Sequence, residues 1–121
     1  LKVSDTGTLI VLYETSFLWL LKELYDEVIV PHSVTSELLK KPEGKRIIEE
    51  EWINVIDVKG SEVVRVLTAF LGEGEAEAIA LAKEKNLPVL LDEKKGRRIA
   101  KSLDLKIQGT LEFLSKLKKK V

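Results

Sequence analysis

Residues 75–103 read EAEAIALAKEKNLPVLLDEKKGRRIAKSL, and the changes of pattern within this stretch set the fold class. From Glu75 to Lys85 the chain is alanine-rich and strongly helix-favouring, and Glu75 shares a stripe with Ile79 and Ala82. Asn86-Leu87-Pro88 ends that helix. Val89-Leu90-Leu91 is then a continuous apolar run, the pattern of a parallel strand buried on both faces, and it stops at Asp92. Helical spacing resumes at Lys94 and continues to Leu103.

Outward from this stretch the same alternation recurs. Leu1 to Ser4 is a short apolar segment that stops at Asp5, Thr6-Gly7-Thr8 reads as a turn, and the run Leu9 to Leu12 as a helix. Phe17 to Leu24 has the period of a core helix anchored by Trp19. Val28-Ile29-Val30 reads as a buried strand stopped by Pro31, with Ser33 as N-cap of a helix through Leu39. Lys40 to Gly44 reads as a loop before a charged helix, Lys45 to Glu51. Ile53 to Val58 alternates like a half-exposed strand, and Ser61 to Leu71 returns to helical spacing. Beyond Leu103 a short strand near Leu105 to Ile107 leads to Gly109-Thr110 and a last helix. Strands alternating with helices predict an α/β protein with a doubly wound, mainly parallel sheet, and residues 1–121 are the size of one domain.

Composition excludes several chemistries. No cysteine means no disulfide, no thiolate zinc site and no cysteine nucleophile, so a bound metal would rest on oxygen ligands, with His32 as the one histidine. No apolar run approaches the roughly 20 residues that span a bilayer, and no basic segment followed by an apolar one opens the sequence. A cytoplasmic protein without a membrane partner is the expectation. Abundant Glu and Lys with few Asn and Gln resemble the composition of a hyperthermophile's protein. The 20 basic and 20 acidic residues cancel overall, but residues 1–93 carry a net charge of −8 and residues 94–121 a net charge of +8.

In a doubly wound sheet, ligands bind beyond the carboxyl ends of the strands, and Asp5 and Asp92 each stand where a strand has just ended. Helical geometry turns two further acids inward: Glu37, one turn beyond Val34, and Glu75, while Glu77 is expected to face outward with Glu84. Each has an ordinary reading, Glu75 as a helix-dipole acid, Glu37 as a surface acid, and the aspartates as turn or capping residues. Their convergence on one sheet edge is what favours a site. Clustered carboxylates raise one another's pKa unless a cation neutralises them, and Mg²⁺ or Mn²⁺ suits an all-oxygen donor set. Such an ion suits hydrolysis of a phosphate ester. Lys94, Arg97 and Lys101 recur at i, i+3 and i+7, with Arg98 at their flank; this is either a solvated helix face or a rail for an RNA or DNA backbone. Gly109-Thr110 offers backbone N–H groups or a hydroxyl to the same edge, or a plain N-cap.

The blocks VSDTGTLI, VIVPHSVTSELL, GEGEAEAIALA and VLLDEKKGRRIAKSLDLKIQGTLEFL, in this order, resemble the PIN-domain nucleases, and most closely the prokaryotic PIN-like proteins related to VapC-type toxins. The likeness covers residues 2–115, least closely between Lys41 and Leu71. It implies a three-layer α/β/α sandwich with a central sheet of four to five strands, and a Mg²⁺- or Mn²⁺-dependent endoribonuclease. By position, Asp5, Glu37, Glu75 and Asp92 match the family's acids, Glu93 stands where relatives have a second aspartate, and Thr110 matches a Ser/Thr beside the acids. The resemblance also implies a homodimer, and an antitoxin protein as partner if the chain is the toxin of a toxin-antitoxin pair.

Two other readings compete. SDTGTL is similar to the DxDGTL loop of haloacid-dehalogenase-like phosphatases, with Asp5 as nucleophile, but Gly7 replaces the general acid. A non-catalytic PIN-like domain that binds RNA or a protein is the second. His32 after Pro31 reads as a loop residue, and Tyr13, Phe17 and Trp19 as packing of the core or a dimer interface.

Overall fold

The computed structural model describes residues 1–58, 62–109, 112, 114 and 115. In chain order the elements are β1 (Lys2–Ser4), α1 (Thr6–Glu14), α2 (Trp19–Tyr25), β2 (Val28–Pro31), α3 (His32–Leu39), α4 (Gly44–Ile48), β3 (Ile53–Ile56), α5 (Glu62–Leu67), α6 (Glu73–Lys85), β4 (Val89–Leu90), α7 (Lys94–Ser102) and β5 (Ile107–Gln108). The strands form one sheet in the order β3-β2-β1-β4-β5, and every pairing is parallel. Of the expected final helix only Glu112, Leu114 and Ser115 are described, and they are helical, while the basic tail Lys118 to Lys120 lies outside the described residues.

The sheet is buried from both sides. Because successive strand residues point to opposite faces, Val28, Val30 and Leu90 pack with Leu9, Leu12, Leu21, Val34 and Leu38 on one face. Val3, Ile29, Val89 and Leu91 pack with Ile79, Leu81 and Ala100 on the other. The result is the expected α/β/α sandwich. Winding starts at β1, runs outward to β2 and β3, then returns through α5 and α6 to β4 on the opposite side of β1. The topological switch point therefore lies between β1 and β4, where a parallel α/β sheet opens a crevice.

Local chemistry moved several expected boundaries. No turn separates β1 from α1: Asp5 is extended (φ −89°, ψ 177°) and its Oδ1 accepts the Thr8 N–H at 2.9 Å, so Thr6-Gly7-Thr8 is already the first helical turn. Pro31 closes β2 inside the ladder, paired with Ile56, and α3 starts at the next residue. Ser33 is thus inside α3 rather than its cap; its N–H donates to Glu77 Oε1 (3.4 Å) and its hydroxyl to the Glu73 carbonyl (3.5 Å). His32 opens the same helix, exposed and 2.8 Å from Asp57, instead of lying in a loop. The charged helix is shorter than its pattern suggests and ends at Ile48. It braces α3 from behind: a Cβ on Gly44 would stand 1.8 Å from the Leu38 carbonyl oxygen. Trp19 does not anchor a core; α2 buries Leu20 and Leu21, leaving Trp19 58% exposed with its indole N–H on the Ser16 carbonyl. α6 ends as read, with Asn86 in the left-handed region at φ 53°.

Candidate active site

Asp5 follows β1 and Asp92 follows β4, so the two strands at the switch point deliver one aspartate each to the same edge. α3 brings Glu37 from one flanking layer and α6 brings Glu75 from the other. Asp5, Glu37, Glu75, Asp92 and Glu93, with Thr6, line one cavity of about 270 Å³. Asp92 also belongs to a second cavity of about 690 Å³ whose other walls are Lys94, Arg97, Arg98 and Lys101. Within α7 this basic face lies opposite the buried Ala100, as its spacing requires. Arg97 is ion-paired to Glu112. Thr110 lies outside the described residues.

Burial and like charge make the acidic cavity electrostatically strained. Asp5 is 4% exposed, and its pKa is pushed up to about 6, first by burial and then by the charges of Asp92 and Glu37, against the pull of its bond to Thr8. Glu75 is pushed up to about 8 by burial, by sharing a hydrogen bond with Glu93, and by the charges of Glu93, Asp5 and Glu37. Both groups thus resist ionisation. On the cavity wall, the buried Glu75 Oε2 and Thr6 Oγ1 have no hydrogen-bond partner among the described residues.

These features fit a hard divalent cation: the donors are all oxygens, two pKa values are raised by burial and by neighbouring negative charge, and a buried carboxylate oxygen has no partner among the described residues. The carboxylates surround the cavity without closing on one another, and among the described residues no three stand at ligating distance. An ion would have to draw them inward. Three glycines govern that freedom. A Cβ would stand 2.0 Å from Glu37 Oε1 at Gly74, 2.7 Å from Glu75 Oε2 at Gly96, and 3.3 Å from Asp92 Oδ1 at Gly109.

Comparison with known proteins assigns the chain to a family. The family model DUF3368, a PIN domain, matches residues 1–121. The chain belongs to the PIN-domain family. PIN domains are generally nucleases and typically use divalent metal ions. No curated protein matches the chain.

In this PIN domain the four acids singled out in the sequence share one cavity, with Glu93 beside Glu75. Glu77 departs from its expected outward placement: it is half-buried, turned toward the start of α3 and bonded to Ser33, while Glu84 is exposed. The reason is that α3 has no side-chain cap of its own. His32 stands away from the acids, against Asp57. Sequence reasoning missed Gly74 and Gly96. Their signal was a glycine inside a helix, where alanine is favoured by about 1 kcal/mol and a packing reason is required. Among the described residues, no helix is long and apolar enough to cross a membrane.

Proposed function

We propose that this PIN domain is a Mg²⁺- or Mn²⁺-dependent ribonuclease that hydrolyses RNA phosphodiester bonds. The observation that carries the reading is the double membership of Asp92, which lines both the acidic cavity and the basic one. A strand whose phosphates lie along Lys94, Arg98 and Lys101 reaches the acids at Asp92. Asp5, Glu37, Glu75 and Asp92 would hold the ion, which when bound polarises a phosphoryl oxygen and activates a water. Asp5, capping α1 through the Thr8 N–H, is the most buried of the four. Without the ion, burial and the neighbouring carboxylates raise the Glu75 pKa to about 8, so an ion held there would displace its proton. The basic residues orient the phosphate, and the burial around Asp5 limits the water that competes for it. The toxin role, an antitoxin partner and a homodimer rest on the resemblance of the four sequence blocks.

The test is cleavage of single-stranded RNA with Mn²⁺ by the wild type and Asp92→Asn. The variant should lose at least about 100-fold in rate while keeping its fold. Undiminished cleavage by the variant would overturn the assignment of Asp92. RNA binding by the wild type without turnover under any divalent ion would establish the non-catalytic alternative.

A further inference from the structure

We infer that Gly74 is a positioning residue that seats the Glu37 carboxylate at the mouth of the acidic cavity; the inference rests on the metal-site reading above. Gly74 lies in the first turn of α6, within an alanine-rich stretch where alanine would be the better helix former. Its hydrogen faces Glu37. A Cβ there would stand 2.0 Å from Glu37 Oε1, 3.0 Å from Cδ and 3.5 Å from Oε2, so the smallest side chain overlaps the carboxylate.

The backbone at this point has little room to yield. α3 and α6 are tied together at the same level by the two bonds of Ser33 to Glu77 and Glu73, and α3 is braced on its far side by α4 through Gly44. Val34 and Leu38, one on each side of Glu37 along α3, are fully buried. What moves when residue 74 gains a methyl group is therefore the half-buried Glu37 side chain. The seat also has an electrostatic side. Gly72 provides no side-chain cap to α6, so the N–H groups of the first turn, which have no partner within the helix, favour the anion that rests against Gly74. Gly74 touches neither substrate nor ion in this scheme and acts through Glu37.

A four-protein cycle tests this: wild type, Gly74→Ala, Glu37→Ala and the double variant, each titrated calorimetrically with Mn²⁺ and melted without metal. Gly74→Ala should weaken Mn²⁺ binding about 10- to 100-fold, as loss of a residue that orients a ligand does. In the Glu37→Ala background the same change should leave Mn²⁺ affinity where it is and raise the melting temperature, since the methyl group then meets no atom closer than 3.5 Å and favours the helix. Glu37→Asp, one methylene shorter, should recover part of the affinity when added to Gly74→Ala and lose affinity on its own. Equal effects of Gly74→Ala with and without the Glu37 carboxylate would overturn the inference. If Gly74→Ala does not fold, the double variant should fold; its failure would overturn the inference as well. A wild type that binds no Mn²⁺ overturns the metal-site reading instead, and the metal-free melting cycle still decides whether residue 74 and Glu37 are coupled.

Discussion

Replacing Asp5 by Asn should stabilise the metal-free protein and at the same time abolish its response to metal. The Asp5 pKa is raised from 3.8 to about 6, so the folded state holds this proton more tightly than the unfolded state does. For a group raised in this way, stability is fully present below 3.8 and is lost as pH rises through 6. The shift corresponds to about 3 kcal/mol between the fully protonated and fully ionised limits. Asparagine keeps the oxygen that caps α1 and removes the buried charge, so Asp5→Asn should gain up to about 3 kcal/mol at pH 8. At pH 5 the wild-type carboxyl is already mostly protonated in the folded state, and the gain shrinks to about 1.6 kcal/mol. At about 4 °C per kcal/mol for a chain of this length, thermal melts in EDTA should show gains of about 12 °C at pH 8 and about 6 °C at pH 5. Mn²⁺ at 100 times its Kd should return about 2.7 kcal/mol to the wild type and nothing to the variant, so that the two melt together at pH 8. A variant that melts below the wild type at pH 8 without metal, or whose gain is the same at both pH values, would refute the argument that burial and like charge set the Asp5 pKa.

Glu77→Ala should lower stability by about 1 kcal/mol, the worth of a helix N-cap, in a urea titration, with Mn²⁺ affinity unchanged. A loss of Mn²⁺ binding would place Glu77 among the ion's ligands instead. Arg98→Ala and Lys101→Ala should each weaken RNA binding and reduce the slope of log K against log salt by about 1, measured by fluorescence anisotropy across a salt series. A slope that does not move means that no phosphate rests on that residue.

How legible these features were depends on whether their signal is local. Val89-Leu90-Leu91 ending at Asp92 and Leu1 to Ser4 ending at Asp5 carried the parallel sheet and its acidic edge openly, because a strand buried on both faces has to be continuously apolar. The stripe Lys94, Arg97, Lys101 was legible for the same reason, since its opposite face had to bury Ala100. Helix starts were misread where the cap lay elsewhere. Asp5 does two jobs, closing a strand and capping the next helix, so the expected turn has no residues left to occupy it. Ser33 has the composition of an N-cap, but Pro31 already ends the strand and Glu77, forty-four residues away, meets the N–H. Trp19 was misplaced because its residue type suggested the core, while the helix phase buries Leu20 and Leu21. The glycine seats were illegible because the atoms they accommodate belong to other elements: Gly74 faces a carboxylate of α3, and Gly96 one of α6.

The acids and the helix starts share an edge for a topological reason. In an all-parallel sheet with right-handed crossovers, the helix that follows each strand starts at its carboxyl end, so the positive ends of the helices and the strand-end acids meet. Here Asp5 caps α1, Glu77 meets the start of α3, Glu37 lies against the first turn of α6, and Glu75 lies against Gly96 in the first turn of α7. Each helix end supplies the equivalent of about half a positive charge, and only within its first turn. That is less than the full charge of the carboxylate it faces. Asp5 and Glu75 remain raised to about 6 and about 8 even with these helix starts beside them. The fold therefore neutralises its acidic edge in part and leaves a deficit of positive charge. At pH 7 that deficit can be met by a proton on Glu75, by a cation in the cavity, or by the basic face of α7 drawn closer. Only the cation relieves Asp5 and Glu75 together, and it should therefore displace the Glu75 proton. Mn²⁺ titrations at pH 7 in two buffers of different ionisation enthalpy should show close to one proton released per ion bound, falling toward zero at pH 9. Binding with no proton release at pH 7 would mean that the ion sits outside this edge.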